Sequence, residues 1–155
     1  MMAAKWVLFA FLALVHADVF SGDQSGDSKV EVVSEFLAAF NAQDAERMGA
    51  LVTDNVKWLS VVDGQTSVEV EGRSNLTEAM AGYFSACPSC RSSISKMMPS
   101  QDRVSVIEVA SWDSDGVRKS QQAMAVYEFS DSKIAAVYYF PAEPVSQPED
   151  GSSQE

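Results

Sequence analysis

SEFLAAFNAQDAERMGALVTDNVKWLS, residues Ser34 to Ser60, is the stretch that decides the fold. Together with the residues just before it, the apolar set Val30, Val33, Phe36, Leu37 and Phe40 repeats at i, i+3, i+4 and i+7, which is one face of an amphipathic helix. Asn41-Ala42-Gln43-Asp44 interrupts that face. Asp44 is suited to cap a second, shorter helix, Ala45 to Leu51. Thr53-Asp54-Asn55 has the composition of a turn, and Val56 to Val62 is rich in β-formers.

Downstream, Asp63-Gly64 signals a tight hairpin and Thr66 to Glu71 reads as its return strand. Gly72 precedes a third helix, Ser74 to Ala86, with Ser74 as N-cap and Leu76, Met80, Tyr83 and Phe84 on one face. Three strands follow: Ser92 to Met98, Arg103 to Trp112 and Lys119 to Phe129. A turn at Ser130-Asp131-Ser132 leads to a last strand, Lys133 to Phe140. Loops this short favour an antiparallel meander. The order predicts an α+β fold, a cone in which a curved antiparallel sheet packs against three N-terminal helices.

The ends read differently. Residues 1–17, MMAAKWVLFAFLALVHA, combine Lys5, an apolar run from Trp6 to Val15 and a small-residue ending. That is the pattern of a secretory signal peptide cleaved before Asp18. The run is about ten residues, against the roughly 20 that span a bilayer, so no membrane association is expected after cleavage. Residues 18–28 are polar and rich in Gly, Ser and Asp, and read as a flexible N-terminal segment. Residues 141–155, PAEPVSQPEDGSSQE, read as a disordered acidic tail. Residues 29–140 form one domain with one core. The destination implied is secretion or a periplasm.

The full sequence carries a net charge of −11, and loss of Lys5 with the signal makes it more acidic still. Such a chain repels nucleic acid and anionic membranes. The one histidine, His16, lies in the signal segment. Without it, Ser-His-Asp and Cys-His catalysis, and most zinc or iron sites, are excluded from the mature chain. No metal and no cofactor are expected.

Cys87-Pro88-Ser89-Cys90 is the one CxxC motif. In an exported chain two cysteines this close are expected to form a local disulfide. A redox CxxC opens a helix, whose N-terminal dipole stabilises the thiolate; this one follows a helix. Asn75-Leu76-Thr77 is a glycosylation sequon, of consequence only in a eukaryotic secretory pathway.

The N-A-Q-D break, the T-D-N-V turn, E-G-R-S-N-L before the third helix and Y-E-F-S-D-S-K-I-A near the end together resemble the nuclear transport factor 2-like superfamily, in its SnoaL-like and ketosteroid isomerase-like branch. The resemblance spans Val30 to Phe140. It implies a pocket between the concave face of the sheet and the helices, and a homodimer formed through the sheet. It also implies positions for the proton-handling groups of the isomerases. A tyrosine on the first helix falls at Phe36, an aspartate base on the first strand at Ser60, and a second acid at about Ala125. None of the three residues present handles a proton.

One other carboxylate is a candidate. Along Arg103 to Trp112, alternation puts Val104, Val106, Glu108, Ala110 and Trp112 on one face. If that face lines the cone, Glu108 is a poorly solvated carboxylate with a raised pKa, able to act as a general acid or base. If the sheet curves the other way, Glu108 faces solvent or a dimer partner. Trp58, Tyr83, Trp112, Tyr127 and Tyr139 are candidates for the pocket wall, together with Phe36, Ser60 and Ala125; they fit an ordinary core equally well. Three functions follow. One is an exported binding protein for a small hydrophobic molecule, without the usual isomerase acids. Another is an isomerase, cyclase, lyase or hydrolase working through Glu108. The third is a dimeric protein-interaction module.

Overall fold

The structure, a computed structural model, describes residues 24–145. Residues 1–23, which include the segment read as a signal peptide, and residues 146–155 lie outside them. Helix α1 is Gln24–Asn41, α2 is Ala45–Ala50 and α3 is Arg73–Ala86. The strands are β1 (Val52–Val62), β2 (Gln65–Glu71), β3 (Arg91–Ser100), β4 (Arg103–Ser114), β5 (Val117–Ser130), β6 (Lys133–Tyr139) and the short β7 (Glu143–Pro144). Three helices thus pack on a curved, unclosed sheet of seven strands, in the order β2-β1-β6-β5-β4-β3, with β7 on β5. This is the expected α+β cone.

The sheet is mixed rather than wholly antiparallel, because β1 and β6 pair in parallel. The cause is topological. Helix α3 carries the chain from β2 to the far edge, and three antiparallel steps then bring β6 back against β1, running with it.

Several element ends shift for local reasons. Helix α1 starts at Gln24, inside the segment 18–28 read as flexible; Asp27 in its first turn suits the helix dipole. Thr53-Asp54-Asn55 is not a free turn. It is an irregular part of β1, where pairing with β6 jumps from Val52–Ile134 to Lys57–Ala136. Asp54 there holds Arg73 at 2.6 Å. The cap of α3 is Gly72, not Ser74: its φ of 93° is left-handed, and its N–H donates to the Val56 carbonyl at 2.8 Å. Asp44 caps α2 as read, accepting from the Arg47 N–H at 2.9 Å. The Asp63-Gly64 turn has positive φ at both residues, as a two-residue hairpin requires. Part of the region read as disordered tail is ordered, since Glu143 and Pro144 pair with Gln122 and Gln121.

Val33, Phe36 and Leu37 of α1 join Leu76 and Phe84 of α3 in one core with Val104, Val106, Tyr127, Ile134 and Val137 of the sheet. Each such side chain, fully buried, contributes about 1.5–3 kcal/mol. At the joint between helices and sheet, Asn41 binds the Ser92 backbone in both directions, its Nδ2 donating to the carbonyl at 2.7 Å and its Oδ1 accepting from the N–H at 2.8 Å. The side-chain amide stands in for a neighbouring strand. This fixes the start of β3 against α1.

Cys87 and Cys90 are joined by a disulfide. Gln43 donates to the carbonyls of Cys87 and Pro88 at 3.4 and 3.0 Å, and the Asp113 N–H donates to Ser89 Oγ at 3.0 Å. The four-residue loop therefore ties the α1–α2 break to the end of β4. Such a disulfide suits an oxidising compartment. Among the described residues no helix is long and apolar enough to cross a membrane.

Candidate functional site

The face of β4 that carries Val104, Val106 and Glu108 is the concave one: all three are buried. Glu108, 7% exposed, is the one buried charged residue among those described. Opposite it on β5 stands Ala123, and Ala110 follows it on the same face. Small side chains on this part of the sheet leave space above the carboxyl. The space is a cavity of about 320 Å³.

Aromatic rings make most of its wall: Phe36 and Phe40 from α1, Trp58 from β1, Tyr83 from α3, Tyr127 from β5 and Tyr139 from β6. Trp58 and Tyr139 stack with centroids 5.0 Å apart, and Tyr127 meets Phe36 edge-on at 6.0 Å. Tyr83 and Gln121 also line the cavity and are exposed, so it opens to solvent beside them. The Tyr83 hydroxyl donates to Cys90 Sγ at 3.3 Å, linking the rim to the disulfide loop.

Glu108 is held by three donors. The Tyr127 hydroxyl donates to Oε1, the Tyr139 hydroxyl to Oε2 at 2.8 Å, and Ser92 Oγ to Oε2 at 3.5 Å. The two tyrosine hydroxyls lie 3.3 Å apart. Burial pushes the Glu108 carboxyl above its ordinary value; the bonds from Tyr127, Tyr139 and Ser92 pull it down and do not cancel the rise. Burial also pushes Tyr127 and Tyr139 well above the ordinary tyrosine value, so both remain protonated donors at neutral pH. The five ion pairs among the described residues all involve other acids. A carboxylate here has no cationic partner among the described residues.

The structure thus brings together Glu108, Phe36, Trp58, Tyr83, Tyr127 and Tyr139 around one cavity. Three further candidates do not line it. Ser60 donates to Glu69 Oε1 at 2.6 Å, because a register shift in the β1–β2 pairing brings Glu69 over it. Trp112 sits at the far end of β4, in a separate depression with Arg118, Lys119 and Pro144, where β7 covers the sheet. Ala125, paired with Val106 and Tyr139, is fully buried core. Asn75 is exposed on the first turn of α3, and its Nδ2 donates to the Glu71 carbonyl at 2.8 Å.

Sequence reading missed Leu37, Phe40, Met80, Ser92, Ala110 and Gln121 as lining residues. Phe40 and Met80 carried a signal, being on the apolar faces of their helices. Ser92 and Gln121 carried none, since polar residues on strands are common.

A comparison with curated proteins finds no match. Among solved structures, an uncharacterized cystatin fold protein from Novosphingobium aromaticivorans is similar, with a TM-score of 0.63 and 23% identity over 72% of this chain and 96% of that one. A ketosteroid isomerase-like protein from Catenulispora acidiphila, in complex with trimethylamine, has a TM-score of 0.62 and 16% identity over 72% and 85%. An LEH-like epoxide hydrolase of M. tuberculosis has a TM-score of 0.61 and 14% identity over 75% and 84%. At these identities the likeness concerns the fold. The family model for the SnoaL-like domain matches residues 33–137, well over half of the chain. With the cone and its cavity, that match makes this chain a member of the SnoaL-like family.

Proposed function

We propose that the chain is an exported binding protein whose cone cavity holds one small, largely apolar molecule, with that molecule's polar atom against Glu108. The observation that carries the reading is a carboxyl, the one buried among the described residues, at the bottom of an aromatic cavity open to solvent. Apolar walls with one polar anchor are what small-molecule sites need for affinity and orientation. The volume is at the low end of the roughly 300–1,000 Å³ typical of such sites, so the ligand is small.

Trp58 on the wall supplies the readout. Titration with 2-naphthol, an apolar frame with one donor, is expected to quench tryptophan fluorescence and raise Tm, by about 2.7 kcal/mol of stabilisation at a hundred times Kd. The protein should be prepared from the exported fraction, where its N-terminus is expected at Asp18. Neither quenching nor a Tm shift with saturating 2-naphthol would remove the support for this reading.

A second reading is favoured by the raised carboxyl: Glu108 as the general acid or base of an isomerase, lyase or hydrolase, with Tyr127 and Tyr139 setting its proton affinity. The same cone carries an epoxide hydrolase in another protein.

A second copy of the chain is proposed on the outer face of the sheet, where Ile107, Met124, Val126 and Tyr138 adjoin in register. Met124 there is 41% exposed. Sedimentation velocity should give a dimer that Met124→Lys dissociates; a wild-type monomer at tens of micromolar would rule it out.

A further inference from the structure

We infer that the cavity selects a small organic cation, an alkylammonium, over a neutral or anionic molecule of the same shape. This rests on the binding reading above and narrows its ligand class.

The charge inventory of the cavity comes first. Its wall holds one acid, Glu108, and neither lysine nor arginine. An ionised carboxylate buried to this degree needs a compensating charge, and the described residues supply none. A neutral ligand could satisfy its hydrogen bonding but would leave the charge uncompensated. An anionic ligand would add to it. Below its raised pKa a proton neutralises the carboxyl; above it, among ligands, a cation alone removes the deficit.

The acceptor inventory agrees. A carboxylate offers about four lone-pair positions on two oxygens. Oε2 takes Tyr139 and Ser92, while Oε1 takes Tyr127 alone. One acceptor position on Oε1 has no donor among these contacts. It is a place for an ammonium N–H or the polarised methyl groups of a quaternary ammonium.

The wall completes the set. Six aromatic residues, Phe36, Phe40, Trp58, Tyr83, Tyr127 and Tyr139, surround one carboxylate. Aromatic faces carry negative electrostatic potential and attract a cation within about 6 Å, tryptophan most strongly. For an ordinary apolar ligand aliphatic walls would serve as well, yet Leu37, Met80 and Ala110 are the minority here. The acidic chain also draws cations towards its surface.

The test uses three molecules of nearly one shape on the unmodified, disulfide-bonded protein: choline, the uncharged 3,3-dimethylbutan-1-ol and the anion 3,3-dimethylbutanoate. Calorimetric titration at pH 8 is expected to give choline at least about tenfold tighter binding than the alcohol, and no binding of the anion. Equal or weaker binding of choline would overturn the proposal, as would absence of binding by all three. If 2-naphthol still bound in either case, the cavity would remain a ligand site and only the cation preference would be lost; if it did not, both readings would fall. Glu108→Gln should abolish the preference of choline over the alcohol, and unaltered choline binding by that variant would also overturn the proposal. Should Glu108→Gln fold poorly, Trp58→Leu serves instead: it should weaken choline more than the alcohol.

Discussion

Phe36→Ala is expected to lower folding stability by about 3–5 kcal/mol, the range for truncating a buried phenylalanine. Phe36 is 1% exposed and lies where α1 meets the sheet. Its ring contacts Trp58 and Tyr127, whose centroids are 6.2 and 6.0 Å away. Both neighbours also line the cavity, so the gap cannot close without moving the wall. Alanine's better helix propensity returns only about 0.5 kcal/mol. Urea denaturation with a two-state fit measures the loss, which corresponds to a fall in Tm on the order of 15 °C. Ser34→Ala, on the exposed side of the same helix, is the control and should stay within about 0.5 kcal/mol. A Phe36→Ala loss under about 1 kcal/mol would mean that α1 is not seated on the sheet as described.

The same residue shows why the fold was readable. Val33, Phe36, Leu37 and Phe40 recur with the helical period, and that period survives because the face is buried against the sheet. Strand alternation did comparable work at the site. It grouped Glu108 with Val104 and Val106, and the burial of those valines settles which way the face points. What was not readable is non-local. The parallel β1–β6 pairing joins residues about 80 positions apart, such as Leu59 and Tyr138, and leaves no mark on either strand alone. Thr53-Asp54-Asn55 has turn composition because it arcs out of that pairing, so composition correctly reported an irregularity and misreported the element. Ser60 failed as a pocket residue through its neighbour: a register shift across β1 and β2 engages its hydroxyl with Glu69. Asn41 was read as the end of a helix, which it is. Its second role as an anchor for Ser92, and through Ser92 for Glu108, depends on a contact across 51 residues.

Glu108→Gln is expected to remove a pH-dependent loss of stability and, if the protein turns over a substrate through this carboxyl, about 10²–10⁴ of the rate. The two effects have one cause. Burial raises the Glu108 pKa in the folded chain above the value it takes when unfolded, near 4.3. Between the two values the folded state holds a proton that the unfolded state has released. The stabilisation is therefore fully present below the unfolded pKa and is lost as pH rises through the folded one, by up to about 1.4 kcal/mol per pH unit within that window. Glutamine keeps the shape and an acceptor for the tyrosines, whose hydroxyls can reorient, but never ionises. Stability curves of the two proteins should run parallel below pH 4, diverge as pH rises with the variant becoming relatively more stable, and run parallel again above the folded pKa. Taking the difference cancels the exposed acids, which titrate alike in both proteins. Urea midpoints measured from pH 3 to 9 would record it. A difference that stays flat with pH would show that Glu108 is solvated like any surface acid, and would remove it as both anchor and acid-base group. A wild-type curve that falls relative to the variant's as pH rises, with 2-naphthol still bound by Glu108→Gln, would place a carboxyl kept at a cost to folding inside a working cavity, where a task performed on the ligand explains its retention.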